Sequence, residues 1–274
     1  MTTEPVRAGA GWLALREAAD AAARATELVE ELRLYLTHDR VTEVHDLGCG
    51  SGSMARWLAP LLPGPQRWVL YDRDADLLPL AETDPPRGVL DGAPVSVETR
   101  HSDITRLDTA ELARASLVTA SALLDMMTAD ELDRFVTTCT EPGCPVLITL
   151  TVTGGVGLMP ADPSDRLFAE AFNEHQRRSS PAGRRLGPDA FEAAVEGFTQ
   201  RGREVLVRPS PWRLGPDSSA LTKEWLAGWV GPACEQRPEL EDVRPSYVRS
   251  RLAELADGRL TVTVHHEDLL VRPT

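Results

Sequence analysis

Residues 41–58, VTEVHDLGCGSGSMARWL, constrain the fold more than any other stretch of the chain. An alternating, β-branched run ends at Asp46 and Leu47. Three glycines follow at alternate positions, and then a run of helix formers. Strand, glycine turn and helix together make a cofactor- or anion-binding corner at the carboxyl edge of a parallel sheet. Gly48, Gly50 and Gly52 have GxGxG spacing. A dinucleotide loop would place its third glycine at position 53, which is Ser53, and the lysine of a phosphate loop is missing. Asp46 beside the turn is poorly suited to a pyrophosphate. It suits a ligand that carries an ammonium or sulfonium charge.

The rest of the chain repeats the pattern. Strands are expected at 41–47, 67–72, 95–100, 116–124 and 144–153, with helices at 53–62, 75–82 and 128–139 between them. Residues 1–11 read as a flexible lead, and Trp12 to Leu36 as one alanine-rich helix without glycine or proline. After strand five, GGVGLMPADPSD reads as an unusually long loop. Helices follow at 165–178 and 187–202, then a strand at 203–212, two or three helices within 219–258, and a final strand. Strands alternating with helices define an α/β fold with a parallel sheet and helices on both faces. With no internal repeat or linker, residues 1–274 are expected to form one domain.

Composition limits the function. The formal net charge of −13 disfavours a phosphate-backbone partner, so no nucleic acid is expected. No apolar run reaches the length of a membrane span, and the first residues lack a signal-peptide pattern, so a cytoplasmic location is expected. Cys49, Cys139, Cys144 and Cys234 have no zinc-ligand spacing and read as buried thiols. No metal is expected.

Two further acids stand at strand ends. Asp72 closes the second strand, where a carboxylate can take two ribose hydroxyls. Asp103 follows the third, where an acceptor can meet an adenine amino group. Each alone also reads as a turn or cap aspartate. Together with Asp46 they mark successive strands on one sheet edge.

The stretches HDLGCGSGSMARWL, VLYDRDADLL, HSDITRL and LVTASALLDMM resemble the class I S-adenosylmethionine-dependent methyltransferases over about residues 40–153. The resemblance implies a Rossmann-like, seven-stranded sheet in the order 3-2-1-4-5-7-6, its last strand antiparallel and here about 260–268. It implies S-adenosylmethionine as cofactor and S-adenosylhomocysteine as product. Gly48, Cys49, Gly50 and Gly52 would line the cofactor and Asp46 would approach its methionine amine. Asp72 and Arg73 would meet the ribose region, Asp103 and Ile104 the adenine, and Ser121 and Arg16 would complete the cofactor contacts. The segment Ser121 to Met127 lacks the Asn/Asp-Pro-Pro-aromatic signature of base or glutamine methylation. It also lacks the acids of a magnesium-dependent catechol enzyme.

The acceptor is harder to read. Trp12, Arg16, Asp20 and Arg24 recur at intervals of four on one helical face. They read as a lid over 12–36 or as a solvated stripe with an ion pair. Trp12, Asp20, Phe172, Asn173, Gln176 and Trp212 are the substrate-binding candidates, from that helix and from helical elements within 154–187 and 211–258. His175 is the candidate general base, although a lone histidine also reads as a packing residue. Asp125, just past strand four, either orients an acceptor or caps the next helix.

The leading expectation is methyl transfer to a small organic metabolite by in-line displacement. One alternative is a cofactor-binding sensor or structural protein without turnover. The other, an NAD-dependent oxidoreductase, is opposed by Ser53 and Asp46.

Overall fold

The computed structural model describes residues 8–86 and 92–274; most of the lead expected over 1–11 lies outside them. In chain order the elements begin with α1 (Ala10–Ala23), α2 (Thr26–Arg33), β1 (Thr42–Leu47), α3 (Ser53–Leu58), β2 (Gln66–Asp72), α4 (Leu78–Thr83) and β3 (Val95–His101). Next come β4 (Leu117–Ser121), α5 (Ala129–Thr140), β5 (Val146–Met159) and α6 (Asp165–Gln176). The chain continues through β6 (Ser179–Ser180), β7 (Gly183–Arg184), α7 (Ala190–Gln200), β8 (Val205–Pro209) and β9 (Trp212–Leu214). It ends with α8 (Ser219–Gln236), α9 (Arg244–Ala256) and β10 (Thr261–Val271).

The main sheet runs β3-β2-β1-β4-β5-β10-β8. The first five strands are parallel, and β10 is antiparallel to both β5 and β8. With β8 as sixth and β10 as seventh strand, this is the order 3-2-1-4-5-7-6. Alternation places successive side chains on opposite faces. In β2, Trp68 and Leu70 enter the cluster under α2 and α3, with Leu28, Leu32, Met54 and Leu58. Val69 and Tyr71 enter the other, with Phe135 and Phe198 of α5 and α7. Thr128 opens α5 with a full capping box to Glu131.

Three expectations need correction. The single helix over 12–36 is two helices, broken at Arg24 and Ala25. Arg24 is extended and its side chain turns into the core, with Nη2 donating to Ser121 Oγ at 3.1 Å and Nε to Thr149 Oγ1 at 3.3 Å. This tertiary anchoring overrides a strong local helix propensity. Second, the loop expected from Gly154 onward is largely strand. β5 continues to Met159 because the first half of β10 pairs with it, from Thr261 opposite Met159 to Val264 opposite Val156. Third, the strand expected over 203–212 is two. β8 and β9 pair with different halves of β10 on either side of Ser210.

The long β5–β10 ribbon bends near Leu150 (φ 57°), where the register shifts. Its outer half carries a third core of Phe168, Trp212, Trp229 and Tyr247, covered by α6, α8 and α9. Among the described residues no helix is long and apolar enough to cross a membrane, and no group of three or more His, Cys, Asp or Glu could hold a metal.

Candidate functional site

The carboxyl edge of β1 sets the site. The backbone N–H groups of Gly48 and Cys49 donate to Tyr71 O at 2.8 and 2.9 Å, which folds the turn against β2. Gly50 adopts φ 54°, and its N–H donates to Asp72 Oδ2 at 2.7 Å. A Cβ at Gly50 would stand 3.2 Å from Leu13 of α1, so turn and helix touch directly. Gly52 differs from its expected role. It does not face the cavity; at φ 87° it caps α3, and a Cβ there would meet Ala81 at 3.1 Å.

A cavity of about 560 Å³ opens on this edge. Gly48, Cys49 and Gly50 line it with Asp46, Asp72, Arg73, Asp103, Ile104 and Ser121, and α1 covers it with Trp12, Arg16 and Asp20. Sequence reasoning missed Leu13, Ser53, Leu123, Met126, Met127 and Glu131, which complete much of the wall. Leu123 to Met127 follow β4 directly, so their distance from a strand end was the available signal.

Asp46 is buried. Thr119 Oγ1 donates to its Oδ1 at 2.7 Å, and Oδ2 has no partner among the described residues. Burial pushes its carboxyl up to about 7, against the opposing pull of Thr119 and Arg24. Asp72 accepts from Gly50 N–H and, at 2.8 Å, from Asp74 N–H. Asp103 accepts from Thr105 N–H and Oγ1 at 3.1 and 2.8 Å, so it is both a cap and a wall residue.

The α1 face is a built cluster. Arg16 makes a double ion pair with Asp20 at 2.9 and 3.1 Å, and its guanidinium lies 4.9 Å from the Trp212 ring centroid. Trp212 Nε1 donates to Asp20 Oδ1 at 2.9 Å. Trp212 therefore supports this wall from behind and does not line the cavity.

The other acceptor-side candidates are not brought to the cavity. His175 instead faces Glu235 Oε2 at 3.2 Å, and Arg178 Nη1 donates to its Nδ1 at 2.6 Å. Burial and Arg178 hold the imidazole below its ordinary pKa. Phe172 packs in the third core, and Asn173 Nδ2 donates to Gly154 O at 2.9 Å. Gln176 Nε2 donates to Asp125 Oδ2 at 3.3 Å. Asp125 lies between Leu123 and Met126 in sequence but does not line the cavity, and burial pushes its carboxyl up to about 6. β5 continues through the segment expected as a loop, and α6 packs against α8 and β5, where these side chains find structural partners.

Residues 44–141 match the family model described as "Methyltransferase domain". The match covers about a third of the chain, and the sheet runs in the order that the resemblance implies. No match is found among curated proteins. Among solved structures, mycolic acid cyclopropane synthase CmaA1, complexed with SAH and CTAB, is 13% identical with a TM-score of 0.49 over 90% of this chain and 83% of that one. A SAM-dependent methyltransferase from Thiobacillus denitrificans in complex with S-adenosyl-L-homocysteine is 14% identical, with a TM-score of 0.45 over 98% of this chain and 100% of that one. One from Geobacter sulfurreducens, also with S-adenosyl-L-homocysteine, is 15% identical, with a TM-score of 0.42 over the whole of both chains. These likenesses are too distant to add to what the strand order establishes.

Proposed function

We propose that the chain binds S-adenosylmethionine at the β1 edge and transfers its methyl group to a small organic acceptor. One observation carries this reading: Asp46, Asp72 and Asp103, from three successive strand ends, line one cavity with Gly48 and Gly50. The residues fit the cofactor. The unpartnered Asp46 Oδ2 suits the methionine ammonium, Asp72 the ribose hydroxyls, and Asp103 with Ile104 the adenine.

When bound, the cofactor supplies a methyl group already activated on a sulfonium, so alignment and exclusion of water carry most of the catalytic work. Trp12 and Leu13 line the cavity beside the glycine turn and would help to exclude water once the cofactor is bound. Ser121 and Ser53 line the floor, with Ser121 fixed by Arg24 and by Thr149 Oγ1, which donates to Ser121 Oγ at 2.9 Å. Asp125, tethered by Gln176, would serve by positioning the turn after β4. No step in this reading uses His175.

Calorimetry with S-adenosylhomocysteine and NAD, titrated separately, tests the reading. Clear binding of the first and much weaker binding of the second is expected. Equal or reversed affinities would overturn it.

A further inference from the structure

Arg16 lines the cavity from α1 but has no part in the reading above. Its guanidinium is firmly held. Asp20 Oδ2 accepts from Nε at 2.9 Å, and Asp20 Oδ1 accepts from Nη2 at 3.1 Å. The guanidinium carbon lies 4.9 Å from the Trp212 ring centroid and 5.9 Å from that of Trp12. Trp212 Nε1 donates to Asp20 Oδ1 and so fixes the carboxylate in turn. A bidentate ion pair and two aromatic contacts leave the fork little freedom to rotate.

Asp20 takes one N–H from Nε and one from Nη2. The second N–H of Nη2 and both of Nη1 have no partner among the described residues, and Nη1 is not sealed off by protein. One N–H from each terminal nitrogen makes the end-on edge of the guanidinium, whose spacing matches the two oxygens of a carboxylate. Both oxygens of Asp20 are engaged, so the open hydrogen-bonding capacity of this wall belongs to Arg16. Its surroundings favour the acceptor over the cofactor contact that the resemblance implies. The cofactor's methionine end is read at Asp46 and the glycine turn, and the cation on that side is Arg24, whose Nη2 donates to Ser121 Oγ on the floor. Arg16 packs instead on Trp212 of β9. Trp12, Leu123, Met126 and Met127 line the same cavity and offer an apolar surface.

We propose that Arg16, held by Asp20 between Trp12 and Trp212, binds a carboxylate of the methyl acceptor, which is therefore a small carboxylic acid with an apolar body. Because Arg16 and Asp20 together are neutral, recognition rests on the fit of two acceptor oxygens to two aimed donors. A neutral amide would set its own N–H against one of those donors. The assignment to the acceptor rests on the methyl-transfer reading; the carboxylate site itself does not.

The test titrates benzoate, phenylacetate and 3-phenylpropionate, each beside its neutral amide, into the full chain with and without saturating S-adenosylhomocysteine. At least one acid should bind about ten-fold or more tightly than its amide, and should still bind with S-adenosylhomocysteine in place. Arg16→Gln should abolish that preference and leave S-adenosylhomocysteine affinity unchanged, with a cooperative urea transition reporting an intact fold. Arg16→Lys keeps the charge without the fork and should retain only part of the preference. The proposal is overturned if no acid binds better than its amide, if folded Arg16→Gln keeps the preference, or if acid and S-adenosylhomocysteine exclude each other. A ten-fold loss of S-adenosylhomocysteine affinity in folded Arg16→Gln also overturns it and gives Arg16 to the cofactor. Failure of S-adenosylhomocysteine to bind the native chain removes the cofactor reading, while the acid and amide arms are still read on the protein alone.

Discussion

Asp268 Oδ2 accepts the Ala25 N–H at 2.8 Å, joining the last strand to the break between α1 and α2. The other oxygen accepts Leu150 N–H at 2.7 Å and the Ser210 hydroxyl. One buried carboxylate therefore satisfies the helix break, the bend in β5 and the interruption between β8 and β9. Asp268→Asn keeps the shape but puts an amide donor against one of these donors. A stability loss of about 1–3 kcal/mol is expected, read as a lower urea midpoint at unchanged slope. Asp268→Ala should lose at least as much. An unchanged midpoint in both would deny the residue its pinning role.

Asp46 gives the site a pH dependence. Its carboxyl holds its proton up to about 7, against an ordinary value of 3.8. An unfolded aspartate ionises near the lower value, so this group favours the fold at low pH, and the contribution is lost as pH rises from about 4 through 7. A ligand ammonium favours the ionised form and has the opposite preference. S-adenosylhomocysteine affinity should therefore rise with pH through about 7, and binding near pH 6 should release protons. Calorimetry in two buffers of different ionisation enthalpy measures that release. In Asp46→Asn both the release and the pH dependence should disappear.

Asp72 is held by the N–H groups of Gly50 and Asp74, so its carboxylate is oriented before any ligand arrives. Asp72→Ala removes the expected ribose acceptor and one tie of the glycine turn. Cofactor affinity should fall by about 1–3 kcal/mol. A dissociation constant unchanged in a folded variant would leave Asp72 a turn residue only.

His175→Ala should leave S-adenosylhomocysteine affinity unchanged, because Glu235 and Arg178 hold the ring outside the cavity. A loss of affinity of ten-fold or more would bring the residue back into the site.

The strand side of the cavity was legible because its signals are local. Each of Asp46, Asp72 and Asp103 ends or follows a short strand whose own alternation marks the boundary, and the parallel order then brings those ends together. The rest depends on contacts remote in sequence. Nothing near Arg24 says that a helix stops there, since the cause is Asp268 at the far end of the chain together with Thr149 and Ser121. Nothing in GGVGLM marks a strand, because its partner is 261–264. The Asn173-His175-Gln176 group looked rich in polar chemistry, and each side chain instead has a structural partner.

The break at Arg24 also divides the expected lid in two. α1 supplies Trp12, Leu13, Arg16 and Asp20 to the cavity. α2 buries Leu28, Val29 and Leu32 in the main core and supplies none. Arg56 latches α1 to α3 through Glu17 at 2.6 and 2.7 Å, and its Nη1 also donates to Ser51 O in the glycine turn at 2.7 Å. If α1 is the mobile part, S-adenosylhomocysteine should slow hydrogen exchange over 10–23 and leave 26–33 nearly unaffected. Glu17→Gln removes the charge of the latch, and faster exchange over 10–23 with faster ligand dissociation is expected. Equal ligand protection of both helices would make the whole of 10–33 a single unit. Protection of neither would make α1 a fixed wall.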